Sequence, residues 1–157
     1  MLIKNARLLI KHLCMMQAYS SFCDRLGQVR KLAGVNPIKY EVSLSDGEHV
    51  PNTYCILNDD ELVIPYLRPM SSMTDEEKEK YQNLKNQLVC CVHSFDKGAY
   101  DVHYIVDIDE DSYDIIDWLL QHGLDFRDLI GKGLALEMPQ DMVELVLKLA
   151  ETVEKNG

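Results

Sequence analysis

Four residues past the middle of the chain have the types that bind metals or move protons: Cys91, His93, Asp101 and His103. They flank Asp96-Lys97-Gly98, a turn-forming triplet between two runs, 88–95 and 99–106, that read as strands. If the triplet closes a three-residue loop with Gly98 left-handed, Phe95 pairs with Ala99. His93 then faces Asp101 and Cys91 faces His103, with all four on one face. A thiolate, two imidazoles and a carboxylate form a zinc-ligand set. Such a centre would acidify a bound water, and a Cys–His pair would activate a thiolate, so the hairpin would serve a small metal-dependent or cysteine-based hydrolase. A two-residue loop would instead pair Asp96 with Ala99 and send the two histidines to opposite faces. The paired short spacings of common zinc sites are absent. The plainer expectation is a polar, solvated hairpin face with no cofactor.

Other constellations carry less. Asp107-Ile-Asp109-Glu-Asp111 opens like a calcium loop, but Ser112 stands where glycine is needed and Trp118 where glutamate is needed. A strand end leading into a capped helix fits it better. Gly131-Lys-Gly133 lacks the spacing of a phosphate-binding loop, and no GxSxG or HExxH element is present. Arg68 and Arg127 each stand in a turn beside an aromatic residue, Tyr66 and Phe126 respectively. Arginine beside an aromatic ring suits a recognition patch. The structural alternative, which the neighbouring Asp125 and Asp128 favour, is that the two arginines tie loops together.

These candidates need a scaffold, and periodicity supplies one. Leu2, Ala6, Leu9, Leu13 and Met16 recur at steps of four and three, which predicts an amphipathic helix within residues 1–23. The helix either docks on its own domain or is offered to a partner or a second copy. Ile38, Tyr40, Val42 and Leu44 alternate with polar residues, as in a half-buried strand; Ser45-Asp46-Gly47 turns, and Asn52–Leu57 pairs back. A further strand is expected at Leu62-Val63-Ile64, with Pro65 and Pro69 ending sheet pairing. Thr74-Asp75-Glu76-Glu77 is a capping box that opens a helix to about residue 87. Asp111 or Ser112 opens another, carrying Ile115, Ile116, Leu119 and Leu120. Between that helix and a last one, from Pro139 toward Lys155, lies a glycine-punctuated segment. There Gly123 can end the helix before it, and Asp125 can cap a single turn that Gly131 stops. The last helix is expected to bury Met142, Val146, Leu149 and Val153.

The elements add up to a single-domain α+β protein, a small antiparallel sheet packed with three to four helices. A net charge of −10 argues against nonspecific binding to nucleic acid. The charge is uneven: residues 1–40 hold seven Lys/Arg against Asp24 alone. A basic head on an acidic body is most simply explained by packing against it. Five cysteines without framework spacing fit a reducing cytoplasm better than a disulfide scaffold. Lys4, Arg7, Lys11 and His12 interrupt the apolar head, so no membrane span is expected.

Two stretches carry a resemblance: Tyr66-Leu-Arg-Pro-Met-Ser-Ser-Met-Thr-Asp-Glu-Glu77, and Asp117-Trp-Leu-Leu followed by Leu124-Asp-Phe-Arg-Asp-Leu-Ile-Gly-Lys-Gly-Leu-Ala-Leu-Glu137. The chain resembles small hypothetical proteins encoded by phages and prophages of gut anaerobes. In them a YLRPMSSMTEEE segment precedes a variable insert and then WLN-HH-DYRGLI-KGLALEAPEGMY. Asp128 replaces the usual glycine, Gln121-His122 stands near the usual histidine pair, and Met138-Pro-Gln-Asp-Met replaces Ala-Pro-Glu-Gly-Met. The resemblance implies a phage or mobile-element origin and no particular activity. With it, the leading expectation is a non-enzymatic accessory protein that binds a host or phage protein through its acidic body or its head helix.

Overall fold

The computed structural model describes residues 1–19, 21–58, 60, 62–95 and 110–156, apart from the side chains of 87–95 and 110–113. In chain order the elements are α1 (Ile3–Met16), β1 (Phe22–Arg25), β2 (Gln28–Asn36), β3 (Glu41–Ser45), β4 (Asn52–Cys55), β5 (Ile64–Leu67), a 3₁₀ turn at Met70–Ser72, α2 (Asp75–Phe95), α3 (Glu110–Gln121), β6 (Leu136–Glu137) and α4 (Gln140–Asn156). The fold is α+β, with a six-stranded, mostly antiparallel sheet in the order β4-β3-β2-β1-β5-β6. The chain divides into two compact units, Met1–Pro69 with Leu120–Gly157, and Met70–Leu119.

In the first unit α1 covers its own core. Ala6, Leu9 and Leu13 are fully buried, as their spacing requires, while Leu2 is 75% exposed. β1 and β2 form a hairpin that sequence periodicity does not announce. Its two-residue loop is Leu26-Gly27, both with positive φ (53° and 78°), the geometry that normally selects Asn-Gly. Leu26 is 79% exposed, so it gains no packing in return for its left-handed backbone. Leu26→Asn should therefore stabilise the protein by about 0.5–1 kcal/mol in urea denaturation, since asparagine tolerates this conformation. An unchanged or lower midpoint would contradict the strain.

β3 keeps the expected alternation, with Val42 and Leu44 buried, but it starts at Glu41 rather than Ile38. The Asn36 carboxamide oxygen accepts from the amides of Ile38 and Lys39, and Tyr40 has φ 56°, so 37–40 turn and Ile38 is left 89% exposed. β4 pairs back as expected. β5 corrects the reading of Pro65 as a break: Pro65 stands second in the strand and is paired with Cys23. A missing donor is tolerated near a strand's start. β5 also runs parallel to β6, with Tyr66 opposite Leu136. On α4, Met142, Val146 and Ala150 are buried, whereas Leu149 and Val153 are 39% and 51% exposed. The buried stripe thus runs one turn-step to the side of the expected one.

In the second unit the capping box forms as predicted. The Glu77 amide donates to Thr74 Oγ1 at 3.2 Å, and the Thr74 amide donates to Glu77 Oε1 at 3.0 Å. The helix it opens does not stop near residue 87. Residues 88–95 continue α2, so the strand expected there is not formed. The spacing of Tyr81, Leu84, Leu88, Cys91 and Phe95 already fits a continued helix, and the local propensity of Val89 and Val92 for strands is overridden. The second strand expected at 99–106, and the Asp107–Asp109 part of the calcium-like run, lie outside the described residues.

Candidate functional site

The zinc constellation required a hairpin, and its first half is helical. Cys91 and His93 stand two residues apart on α2, while Asp101 and His103 lie outside the described residues. Among the described residues no three His, Cys, Asp or Glu side chains are grouped to share a metal ion. Nor is there an activated thiol at Cys23: burial first, and Asp24 second, push it up to about 12. Burial raises Cys14 as well.

The four residues considered for recognition, Tyr66, Arg68, Phe126 and Arg127, stand around the loop that follows α3. Gly123 has φ 67° and ends α3, and a Cβ placed there would lie 3.1 Å from Met138 Cε. Its carbonyl accepts from the Arg68 amide at 2.7 Å, and the Asp125 amide donates to the Arg68 carbonyl at 2.8 Å. Arg68 is 1% exposed, and its Nη1 donates to the His122 carbonyl at 3.0 Å. Asp125 caps the following turn, its two carboxylate oxygens accepting from the amides of Leu129 (2.8 Å) and Ile130 (2.9 Å). Arg127 lies over the Phe126 ring at 5.2 Å and directs Nη2 to Met15 Sδ at 3.2 Å. Tyr66 donates its hydroxyl to Asp24 Oδ1 at 3.1 Å; its phenol is raised by burial first and by that bond second. Arg68 thus ties its loop to a carbonyl, as the structural reading expected, while Arg127 reaches a thioether on α1 rather than a carbonyl or a carboxylate.

A wide concavity lies elsewhere, along the solvent side of α1, with a volume of about 850 Å³. Leu2, Leu8, Ile10 and Tyr40 give it an apolar floor, and Lys4, Arg7, Lys11 and Lys132 a basic rim. Among the described residues no acid lines it. Lys4, Arg7 and Lys11 recur at steps of three and four, so one stripe of α1 carries all three, beside the buried stripe of Ala6, Leu9 and Leu13. None of these three forms an ion pair among the described residues, and Lys132 reaches Asp128 only at 3.9 Å. α1 packs on its own core through its apolar face, and Lys4, Arg7 and Lys11 stand exposed beside that face. The sequence marks α1 as a helix that either docks on its own domain or is offered to a partner, but does not single out its cations or Tyr40 and Lys132 as lining a groove. The signal was the 4–7–11 spacing; Tyr40 and Lys132 come from turns that only the fold brings to α1.

On its buried face α1 carries a second unusual residue. His12 is fully buried, its ring centroid is 5.4 Å from that of Phe126, and neither ring nitrogen has a hydrogen-bond partner. Burial first, then the Arg127 guanidinium, lower its pKa to about 4, while Asp125 opposes them. It is a neutral core side chain. Among the described residues no helix is long and apolar enough to cross a membrane. Compared with protein-family models, curated proteins and solved structures, the chain matches none.

Proposed function

We propose that this protein is a non-enzymatic protein-binding module that receives an acidic amphipathic helix of a partner protein in the groove along α1. One observation carries the reading: an open apolar groove that, among the described residues, is rimmed by four cations and no acid, on a chain whose net charge is −10. Helix-in-groove recognition buries an apolar stripe and matches charges at its edges. The rim selects carboxylates, and the sign mismatch with the rest of the chain argues that the rim is kept basic for a local purpose. At about 0.1 M salt the Debye length is about 10 Å, so the rim can act within the groove despite the acidic body. The resemblance to phage and prophage proteins supports a partner from the host cell or the phage, met in the cytoplasm.

The test is an amide-resolved NMR titration of the full chain with an acidic amphipathic helical peptide. Shifts should centre on α1, Tyr40 and Lys132 and weaken with added salt. Equal response to a basic peptide with the same apolar face would contradict the reading. So would shifts confined to other elements. The same residues shifting on dilution, with no peptide present, would make a second copy the occupant and overturn the partner assignment.

A further inference from the structure

The sheet carries a second concavity, built where its core-facing side turns polar. Cross-strand register puts Cys23 opposite Arg30, Arg25 opposite Gln28, Leu32 opposite Leu44, Leu44 opposite Asn52 and Val42 opposite Tyr54. Side chains alternate along a strand, so all of these share one face. Cys23, Leu32, Val42 and Leu44 form its buried part. Beyond them, toward the Leu26-Gly27 turn, the same face continues with Arg25, Gln28, Arg30, Asn52 and Tyr54, lining a concavity of about 140 Å³.

Neither arginine in it forms an ion pair among the described residues. Arg25 donates Nη2 to the Asp60 carbonyl at 2.9 Å and lies over the Tyr54 ring at 4.8 Å. Its Nε and Nη1 are buried without a partner. Arg30 donates only to the Val29 carbonyl and Gln28 Oε1. Among the described residues the concavity has one acid, Asp46, which is occupied elsewhere: it accepts from the amides of Glu48 and His49 and meets the His49 ring at 2.8 Å. Two guanidinium forks, two carboxamides and a phenol therefore surround a small space with more donors than acceptors.

We propose that this concavity is an oxyanion site for a phosphate group. A tetrahedral phosphate offers three or more strong acceptor oxygens, enough for both forks and the carboxamides, whereas a carboxylate has only two. Binding requires the Arg25 guanidinium, now over Tyr54, to turn so that its unspent donors face the ligand. The space is too small for a drug-sized or nucleotide-sized molecule, which fills about 300 Å³ or more. The site is separate from the α1 groove in every residue, so either can fail without the other.

Isothermal titration of the full chain with inorganic phosphate and with phenyl phosphate, against chloride at matched ionic strength, tests it. Phosphate should bind with unit stoichiometry, and Arg30→Gln should weaken binding at least tenfold, the loss of one charge-assisted pair. Arg25→Gln should do the same; if losing its bond to Asp60 unfolds the hairpin, Arg30→Gln decides, since Arg30 makes only neighbouring bonds. Tighter binding of phenyl phosphate would assign the site to a phosphomonoester, and equal binding to free phosphate; both uphold it. Heat no larger than that of chloride, or an Arg30→Gln affinity equal to the parent's, would overturn it.

Discussion

Arg68→Ala should destabilise the first unit by about 4 kcal/mol, the largest effect expected of a single substitution. Arg68 is 1% exposed, and its backbone and side chain both join the loop at 122–125 to the end of β5. Truncation removes a long buried stem, which costs about as much as emptying a core aliphatic site. It also leaves the His122 carbonyl without its donor, worth about a further 1–3 kcal/mol if no water replaces it. Arg68→Lys should lose less, because the stem and charge survive while the planar fork does not. Urea denaturation checks the order. A loss below about 1 kcal/mol for Arg68→Ala would mean that Arg68 does not hold this junction.

Acid should destabilise the protein through His12 before its carboxylates titrate. The residue is fully buried and both ring nitrogens are unpartnered, so the folded state disfavours its protonated form and holds its pKa at about 4. The unfolded chain binds the proton near 6.5. Lowering the pH through 6.5 thus favours the unfolded state, and the stabilising contribution of neutral His12 is lost progressively until the pH passes about 4. Between pH 7 and pH 5, where few carboxylates change charge, the loss should be about 2 kcal/mol. His12→Leu removes the titrating group along with two buried polar atoms that lack partners. The variant should be at least as stable at pH 7 and should lose the pH slope in that window. A His12→Leu profile parallel to the parent's would show that His12 is not the acid-sensitive residue.

What could be read in advance follows a physical line. Helices with a continuous apolar stripe, α1 and α4, were legible because 3.6-residue periodicity marks them directly. The capping box at Thr74 and the left-handed glycine at Gly123 were legible because local chemistry specifies them. The β1–β2 hairpin was hidden, since Leu26 occupies a left-handed position that gives no turn signal. The continuation of α2 was hidden by Val89 and Val92, whose strand preference misled where helical context decided. Arg68 was legible as a loop brace, because carbonyl-rich turns need donors, whereas the reach of Arg127 to the Met15 sulfur on α1 was not. The α1 groove was only half legible: Lys4, Arg7 and Lys11 share a stripe in the sequence, but Tyr40 and Lys132 join them only through the fold.

The groove is tested most directly by inverting its rim. Affinities for an acidic amphipathic helix and for its basic counterpart, measured by fluorescence anisotropy on the parent and on a Lys4→Glu/Arg7→Glu/Lys11→Glu variant, answer the question in one experiment. Denaturation checks that the variant folds, as substitution of three exposed side chains allows. The parent should prefer the acidic helix, and the variant should reverse that preference. Identical ranking by the two proteins, or no binding of either helix by the folded parent, would contradict the assignment of this surface to a partner.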